Sequence, residues 1–497
     1  MFPRSSGILL HLSSLPGPYG IGSMGKEARH YIDFLQKAGQ RYWQLLPLVP
    51  PGEGSSPYMS PSSAAGNPLF IDLETLVEQG LLDADDLKLA RYTGSPDRVD
   101  YDFVTHTHYA LLQKAYENAS PELLAKTQAF AEEQADWLPD YALFRAAHDY
   151  FNAPLVKWPD KRLLHRTPTA LKKYQTLLQK EIGGYIFNQY LFFQQWNALK
   201  QYANDHGISV IGDIPFYVSP DSVDVWVHPE LFRVDKATCE AQYVAGVPAD
   251  LFSETGQYWG NPLYRWSRHA KDGYQWWCNR IRHSNIFYDV IRIDHFRGFH
   301  SYWQIPAGAA TALEGEWKKG PAMALLDAIR KNVPDVQFIA EDLGDIDAET
   351  YAFIASSGLP GMRVFCDAFS ADWGGSNFLP YNCIPASVMY TSTHDTPTFV
   401  QWYCDLATDA QRDFFNRYSR IHYGDSLGWT AISCAWESVC NLAMAPLQDV
   451  LSLGGDARMN LPGTMGEQNW SWRVRLDALN EDVAAKLLEI TATYGRI

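Results

Sequence analysis

The feature of this sequence that most constrains its fold is a series of short apolar runs that end in small or polar residues. Each run has the length of a buried parallel strand, and helical patterns such as 27–39 and 321–332 separate several of them. The runs lie at 7–16, 42–50, 209–218, 289–298, 336–344, 361–365, 387–395 and 457–463. Eight strands with intervening helices predict an α/β fold, the (β/α)₈ or TIM barrel. Because alternation alone does not close a barrel, a doubly wound open sheet is the structural alternative.

Two intervals between these runs are too long for simple βα loops. About 140 residues separate the second run from the third, and about 70 separate the third from the fourth. The first interval carries apolar residues at helical spacing from Ile186 to Trp196. We therefore predict one catalytic barrel over 1–497, with inserted, mainly helical subdomains at approximately 68–208 and 219–288.

The charge balance excludes two classes of partner. The 497-residue chain has 41 Lys and Arg against 57 Asp and Glu, which gives a formal net charge of −16. Nucleic acids and anionic membrane surfaces both require a basic face, and no cluster of Lys and Arg is present. No run of about 18 apolar residues is available to span a bilayer. We therefore expect neither a nucleic-acid partner nor a membrane.

Aromatic residues and cysteines narrow the class further. The 17 Trp, 28 Tyr and 24 Phe provide flat apolar surfaces that suit sugar rings, although most such rings fill protein cores. The seven cysteines are odd in number and have no metal-ligand spacing, which favours free thiols in a reducing compartment. The N-terminal segment lacks the basic start and long apolar stretch of a signal peptide. A cytoplasmic protein with a possible carbohydrate ligand is predicted.

One glycine pattern could be mistaken for a dinucleotide site. Gly20, Gly22 and Gly25 form G-x-G-x-x-G after a predicted strand, but Pro16 and Pro18 interrupt the tight turn that such a site needs. The next apolar run also lacks a terminal acidic residue. A glycine-rich βα loop is the better interpretation, and no cofactor is expected.

Four acidic residues occupy equivalent positions, at or just past the carboxyl ends of predicted strands. They are Asp213, Asp294, Glu341 and Asp395. In a (β/α)₈ barrel that end is where catalytic residues collect. An isolated Asp after a strand is commonly a helix cap. Capping does not explain four such residues, one with Arg292 two positions before it and one with His394 immediately before it.

Paired carboxylates suit glycosidic chemistry, in which an ionised one attacks the anomeric carbon and a protonated one donates to the leaving oxygen. Arg292 and Asp294 are two positions apart on a strand, so both point to the same side, which should keep Asp294 ionised as the nucleophile. Glu341 has no adjacent cation and lies beside Asp342, which favours its protonated role. Because both reacting groups are side chains, no metal is required.

Several segments resemble those of a known family. The segments IRIDHFRGFHSYWQIPAG, FIAEDLG, YTSTHDT and GDIPFYVSPDSVDVW are similar to the signature regions of 4-α-glucanotransferases of the amylomaltase (disproportionating enzyme) family. That family belongs to the α-amylase-like glycoside hydrolase group. The resemblance extends from SGILLHLSSLPGPYGIG to RMNLPGTMGEQNWSWR and covers essentially the whole chain.

The resemblance implies roles for individual residues. Asp294 is the expected nucleophile, Glu341 the general acid/base, and Asp395 a third carboxylate that holds hydroxyls of the transferred sugar. Arg292 and His394 are expected around the same sugar. The other substrate-binding residues that it implies are Tyr58, Asp213, Asp250, Phe252, Trp259 and Asn469. Among these, Asp213 and Asn469 are expected to be structural first.

The resemblance also implies a lid and an activity. The segment 246–262 is expected to fold over bound glucan, with Phe252 and Trp259 as stacking contacts. The implied reaction is transfer of α-1,4-glucan segments from maltooligosaccharides, amylose or glycogen-derived dextrins to the 4-hydroxyl of glucose or another glucan. The sequence departs from the family at Ser392, where Gly is usual, at Pro397 and at Leu251. These positions leave the acceptor-side contacts open.

Two alternative functions are set against this one. An α-1,4-glucan hydrolase would use the same three carboxylates and differ only in whether water reaches the intermediate. A non-catalytic glucan-binding protein would be expected to lack one of Asp294, Glu341 and Asp395, and all three are present.

Overall fold

The computed structural model describes residues 2–249, 253–344, 346–369, 374–422 and 424–497. The strands of this part of the chain are β1 (Ser5–Leu9), β2 (Tyr42–Gln44), β3 (Ser209–Ile214), β4 (Tyr243–Val247), β5 (Gln257–Pro262), β6 (Val290–Ile293), β7 (Ser301–Pro306), β8 (Glu316–Lys319), β9 (Gln337–Ala340), β10 (Gly361–Val364), β11 (Ser387–Tyr390) and β12 (Leu442–Pro446).

Eight of these strands form a closed parallel barrel in the order β1-β2-β3-β6-β9-β10-β11-β12. The ring is closed by pairing of β1 with β12, in which Ser5 lies opposite Leu442 and Leu9 opposite Pro446. The predicted (β/α)₈ barrel is therefore confirmed, and the open-sheet alternative is wrong.

The eighth barrel strand is not where the sequence analysis predicted it. The run 457–463 forms no strand, and its place in the barrel is taken by β12, whose sequence is LAMAP. Leu, Ala and Met have high helix propensity, so this run does not resemble a β-branched strand. Its burial on both barrel faces decides the matter, since all five residues are buried.

The helices fill the intervals between strands. They are α1 (Lys26–Lys37), α2 (Leu73–Glu78), α3 (Tyr101–Glu117), α4 (Pro121–Glu133), α5 (Leu138–Phe151), α6 (Lys161–Leu164), α7 (Pro168–Leu177), α8 (Gln179–Asp205), α9 (Val223–Val227), α10 (Trp266–His269), α11 (Gln275–Phe287), α12 (Met323–Asn332), α13 (Ala348–Ser357), α14 (Phe399–Gln401), α15 (Asp409–Ser419), α16 (Leu427–Glu437), α17 (Leu447–Val450) and α18 (Glu481–Thr493). Within the described ranges, none of these helices has the length and apolarity needed to cross a bilayer.

The two long intervals have different structures. Between β2 and β3 the chain is helical, and the 27-residue helix α8 packs against α3, α4 and α5. Between β3 and β6 the chain contributes β4 and β5 to an antiparallel sheet of order β5-β4-β7-β8. Most of the buried apolar side chains form one cluster that includes residues of the barrel and of both intervals. We propose on this basis that 68–208 and 219–288 are insertions into a single catalytic unit.

At the amino end of the barrel, Arg496 lies across the seam between β1 and β12. Its guanidinium is fully buried. The oxygens that it contacts are the carbonyls of Ser5, Trp436, Ser438, Cys440 and Asn441 and the hydroxyl of Ser438. Arg496 thereby links the beginnings of β1 and β12, the two strands whose pairing closes the barrel.

Candidate active site

The four acidic residues identified from the sequence all lie at the carboxyl end of the barrel. Asp213 is in β3, and Asp294, Glu341 and Asp395 follow β6, β9 and β11. The backbone pairing continues past the strand ends, because the Asp294 N–H donates to the Ile214 carbonyl at 3.1 Å and the Glu341 N–H donates to the Ile293 carbonyl at 3.1 Å. Three neighbouring strands therefore hold Asp213, Asp294 and Glu341 next to one another.

Arg292 links two of these carboxylates. Its Nη1 donates to Oδ2 of Asp213 at 2.5 Å and to Oδ1 of Asp294 at 3.0 Å. Alternation along β6 places the side chains of Arg292 and Asp294 on the same side, as the spacing predicted. Although burial opposes it, Asp213 and Asp294 raise the pKa of Arg292 well above its usual value. The guanidinium is therefore a fixed positive charge beside Asp294.

Tyr58 and His394 form the next part of the site. The Tyr58 hydroxyl donates to Oδ2 of Asp213 at 2.8 Å and lies 2.9 Å from Nε2 of His394. Because its single proton is directed at Asp213, the hydroxyl oxygen accepts from a protonated Nε2. The two rings are stacked, with centroids 5.7 Å apart and planes 8° from parallel. This arrangement fixes the orientation of His394.

Asp395 is held as an ionised carboxylate. Its Oδ2 lies 3.2 Å from Nε2 of His394, and its Oδ1 accepts from Nδ2 of Asn460 at 2.6 Å. Although burial opposes it, these two contacts lower the pKa of Asp395 to about 2. The same pairing raises the pKa of His394 against the effect of burial. Asp395 can thus accept hydrogen bonds from sugar hydroxyls throughout the neutral pH range.

The pKa of Asp294 differs from the simple expectation. Burial, opposed by Arg292 and reinforced by the charges of the neighbouring carboxylates, raises the pKa of Asp294 to about 7. Burial likewise raises the pKa of Glu341. The expectation that Arg292 keeps Asp294 ionised counted the adjacent cation but not the burial or the other carboxylates. Burial therefore makes both carboxyl groups harder to ionise than exposed ones.

The backbone positions Glu341 directly. His295 has a left-handed φ of 45°, and its N–H donates to Oε2 of Glu341 at 2.6 Å. The N–H of Leu343 donates to Oε1 at 2.9 Å. Asp342, the neighbour that was expected to influence Glu341, is buried and paired with Arg363 at 2.9 Å. Its charge raises the pKa of Glu341 less than burial does.

Trp259 is the described member of the predicted lid that reaches the site. In the described part of the segment 246–262, the end of β4 pairs antiparallel with β5. The Trp259 ring packs edge-to-face on His295, with centroids 4.9 Å apart and an angle of 87°. Trp259 therefore packs on the residue that directly follows Asp294 in the chain. Asp250, Leu251 and Phe252 lie outside the described residues.

Comparison with known proteins agrees with this geometry. The family model for 4-alpha-glucanotransferase matches residues 10–478. The chain is 44% identical to the 4-alpha-glucanotransferase of Streptococcus pneumoniae over 502 residues, which cover 100% of this chain and 98% of that one. It is also 44% identical to the enzyme of Thermus thermophilus, over 100% of this chain and 99% of that one. The chain belongs to the 4-alpha-glucanotransferase family.

Solved structures give the same result. The amylomaltase from Streptococcus agalactiae in complex with acarbose matches with a TM-score of 0.96 and 38% identity, and the match covers 99% of each chain. The amylomaltase from Corynebacterium glutamicum is 19% identical, with a TM-score of 0.79, and shows the shared fold over 98% of this chain and 75% of that one. The family resemblance stated from the sequence motifs is confirmed.

Asn469 forms hydrogen bonds within its own loop. Its Oδ1 accepts from the Leu461 N–H at 3.1 Å, and its Nδ2 donates to the Thr464 carbonyl at 3.0 Å. A structural role for Asn469 therefore stays the prediction. Its neighbour Trp470 reaches the site instead, with its ring 5.5 Å from that of Tyr58.

Sequence reasoning missed two residues of this site. Asn460 donates a hydrogen bond to Asp395, but it lies in the run 457–463, for which the sequence predicts a strand. Asp449, in α17, is buried and accepts hydrogen bonds from the segment that carries Asp395. Asp449 follows β12, so the rule that acidic residues follow barrel strands would have found it if that strand had been recognised.

Proposed function

We propose that this 4-alpha-glucanotransferase works by double displacement through a covalent glycosyl-enzyme intermediate on Asp294. The observation that carries the proposal is the adjacency of Asp294, bonded to Arg292, and Glu341 on the next barrel strand. A nucleophile and a proton donor on neighbouring strands are the two groups that retention of configuration requires.

In the first step, a carboxylate oxygen of Asp294 attacks the anomeric carbon of the donor glucan while Glu341 protonates the glycosidic oxygen. The bond from carbon to that oxygen breaks, a bond to Asp294 forms, and the fragment leaves with the proton. Burial raises the pKa of Glu341, which favours retention of this proton. The N–H groups of His295 and Leu343 each donate to one oxygen of Glu341 and so orient its carboxyl group for this transfer.

In the second step, Glu341 removes the proton of an acceptor 4-hydroxyl, whose oxygen attacks the same carbon and releases Asp294. Two inversions give overall retention. Transfer prevails over hydrolysis when an acceptor sugar occupies the site and water is excluded. The Trp259 ring beside His295 supports a role of β5 in this exclusion.

Asp395 contributes by binding rather than by bond formation. Its low pKa keeps it charged, and its contacts with His394 and Asn460 fix both carboxylate oxygens. Hydrogen bonds from ring hydroxyls to a fixed carboxylate strengthen as positive charge develops on the sugar. Asp395 thus lowers the barrier for the distorted, oxocarbenium-like sugar.

The substrates are α-1,4-glucans, namely maltooligosaccharides, amylose and glycogen-derived dextrins, with glucose or glucan as the acceptor. We infer a cytoplasmic location, which the seven free cysteines support, because unpaired thiols persist in reducing compartments.

Product analysis with maltotriose alone tests the reaction. Wild-type protein is expected to give glucose and a ladder of longer maltooligosaccharides at a constant number of reducing ends. Asp294→Asn is expected to lower the rate by roughly 10³-fold or more. Asp289→Asn is the matched control, because Asp289 precedes the same strand at its other end and binds the Val210 N–H.

Rising reducing ends, with glucose and maltose as the only products, would make the protein a hydrolase and refute the acceptor step. Absence of any reaction with maltotriose or longer glucans would instead indicate a glucan-binding protein. Full activity of Asp294→Asn would exclude Asp294 as the nucleophile.

A further inference from the structure

One buried carboxylate holds both ends of the segment that carries His394 and Asp395. Asp449 is fully buried in α17, directly after β12. Its Oδ2 accepts from the hydroxyls of Thr391 and Ser392, each at 2.6 Å. Its Oδ1 accepts from the Phe399 N–H at 2.7 Å. The segment 391–399 is therefore tied at its beginning and at its end to a single side chain.

Burial raises the pKa of the Asp449 carboxyl, and the three hydrogen bonds that it accepts oppose this effect and favour its ionised form. The Phe399 N–H can only donate, and both hydroxyls are oriented as donors. Hydrogen bonds to a charged acceptor are shorter and stronger than neutral ones, and these three are short. The salt bridges among the described residues do not include Asp449. Burial of a carboxylate without a cation is costly, and the three donors of the segment 391–399 offset that cost.

A tight, hydrogen-bonded turn connects Asp395 to the two fixed ends of the segment. The Thr393 N–H donates to the hydroxyl of Thr396 at 2.8 Å, and the Asp395 N–H donates to the hydroxyl of Thr393 at 3.3 Å. Asp395 therefore sits in a turn whose internal bonds and both ends are fixed. Its carboxylate is aligned by Asn460 from outside the segment and by His394 from within it.

We propose that Asp449 is a positioning residue for the transfer reaction, which sets the place of Asp395 without touching the sugar. The inference rests on the proposed role of Asp395 as the carboxylate that binds the reacting sugar. Asp449 itself is fully buried, so it acts only through the segment 391–399.

The first test is Asp449→Asn, assayed by the rate of maltotriose disproportionation. An amide keeps one acceptor oxygen for the Phe399 N–H and replaces the other by an NH2 group, so the hydroxyls of Thr391 and Ser392 lose their charged acceptor. Displacement of Asp395 by a fraction of an ångström to 1 Å is expected to lower kcat by about 10- to 100-fold. KM should change by less than about threefold, because the lost interaction belongs mainly to the transition state.

Asp72→Asn is the matched control for buried carboxylates. Asp72 is also buried and accepts three neutral donors, the Ser23 hydroxyl, the Thr75 hydroxyl and the Thr75 N–H. It caps α2, outside the site. We expect this variant to have a lower Tm and an unchanged kcat. Equal losses of kcat in both variants would show that Asp449 acts on stability alone.

A double-mutant cycle with Asp395→Asn separates positioning from general damage. If Asp449 acts through Asp395, then Asp449→Asn should lower kcat no further in an Asp395→Asn background. Multiplication of the two losses would overturn the proposal, and so would wild-type kcat in folded Asp449→Asn. Wild-type kcat in Asp395→Asn alone would instead refute the proposed function of Asp395.

Smaller changes keep the test available if Asp449→Asn does not fold. Ser392→Gly and Thr391→Val each remove one hydroxyl donor and leave the carboxylate in place. Each is expected to lower kcat by about two- to fivefold, and neither should lower it further in the Asp395→Asn background. Unchanged kcat in both, or additive losses, would overturn the proposal.

Discussion

Two buried arginines at opposite ends of the barrel have opposite kinds of partner. Arg292, at the carboxyl end, binds the carboxylates of Asp213 and Asp294, whose charges raise its pKa. Arg496, at the amino end, binds only neutral oxygens, and burial lowers its pKa to about 9. The carboxyl end gathers more buried carboxylates than its cations neutralise. At the amino end, by contrast, the guanidinium of Arg496 donates its hydrogen bonds to uncharged carbonyl and hydroxyl oxygens.

The arrangement at the carboxyl end serves the reaction, whereas the arrangement at the amino end serves the stability of the barrel. At the carboxyl end, burial and mutual repulsion leave Asp294 with a pKa of about 7, so its ionised form is held at a cost that the bound sugar can relieve. At the amino end, the guanidinium fills hydrogen-bonding positions on both strands that close the ring. Removal of the Asp294 charge and replacement of Arg496 should therefore change stability in opposite directions.

The largest expected effect is at the amino end. Arg496→Lys replaces five N–H donors by three on one nitrogen, which removes about two or three of the buried hydrogen bonds that the guanidinium donates. The free energy of unfolding should fall by about 2–3 kcal/mol, at about 1 kcal/mol for each lost partner. Chemical denaturation measures this loss, and kcat at 25 °C should stay the same.

The matched control is Arg4→Lys. Arg4 donates to two of the same carbonyls, those of Ser438 and Trp436, but it is exposed to solvent. Because water replaces its contacts, the change should be below about 0.5 kcal/mol. Similar losses in the two variants would show that burial of Arg496 has no special effect.

The contrast also marks what could be predicted from the sequence. The barrel, seven of its strands and the carboxylates at their ends follow from local apolar runs and from the residues that terminate them. The burial of Arg496 has no such local pattern, because its partners lie about 60 to 490 positions away in the chain. The pKa of Asp294 was likewise inaccessible, since it depends on three carboxylates that only the closed barrel brings together.

The next effect is a gain of stability at the carboxyl end. The pKa of Asp294 is raised from 3.8 to about 7 by folding, so the folded chain binds this proton more tightly than the unfolded chain. Ionised Asp294 therefore destabilises the fold, most at pH 7 and above, and the penalty disappears below about pH 4. Asp294→Asn removes the charge and should raise Tm by roughly 2–4 °C at pH 8.

Thermal scans at pH 8 and pH 5 measure this gain, which should shrink as the pH is lowered. Asp395→Asn provides the opposite sign at the same site, because contacts with His394 and Asn460 lower the pKa of Asp395 to about 2. Its ionised form stabilises the fold above the unfolded pKa, so its removal should lower Tm at pH 8. A lower Tm in Asp294→Asn would contradict the view that crowded carboxylates strain this end.

The smallest effect concerns pH dependence. Asp294 must be ionised to attack, so kcat/KM should fall as the pH drops through about 7. The charge of Asp213 contributes to that raised pKa, and Asp213 also shares Nη1 of Arg292. Asp213→Asn removes the charge but keeps an oxygen to accept from Arg292 and Tyr58. The acid limb should therefore move to lower pH by roughly one unit.

Asp224→Asn is the control for this shift, because Asp224 is a buried carboxylate that accepts from Ser63 and is not bonded to Arg292. Its acid limb should coincide with that of the wild type. A limb that stays in place in Asp213→Asn would mean that burial alone sets the pKa of Asp294. A limb that moves to higher pH would mean that Asp213 aids the ionisation of Asp294 by orienting Arg292. The orientation of Arg292 would then affect the pKa of Asp294 more than repulsion from the Asp213 carboxylate does.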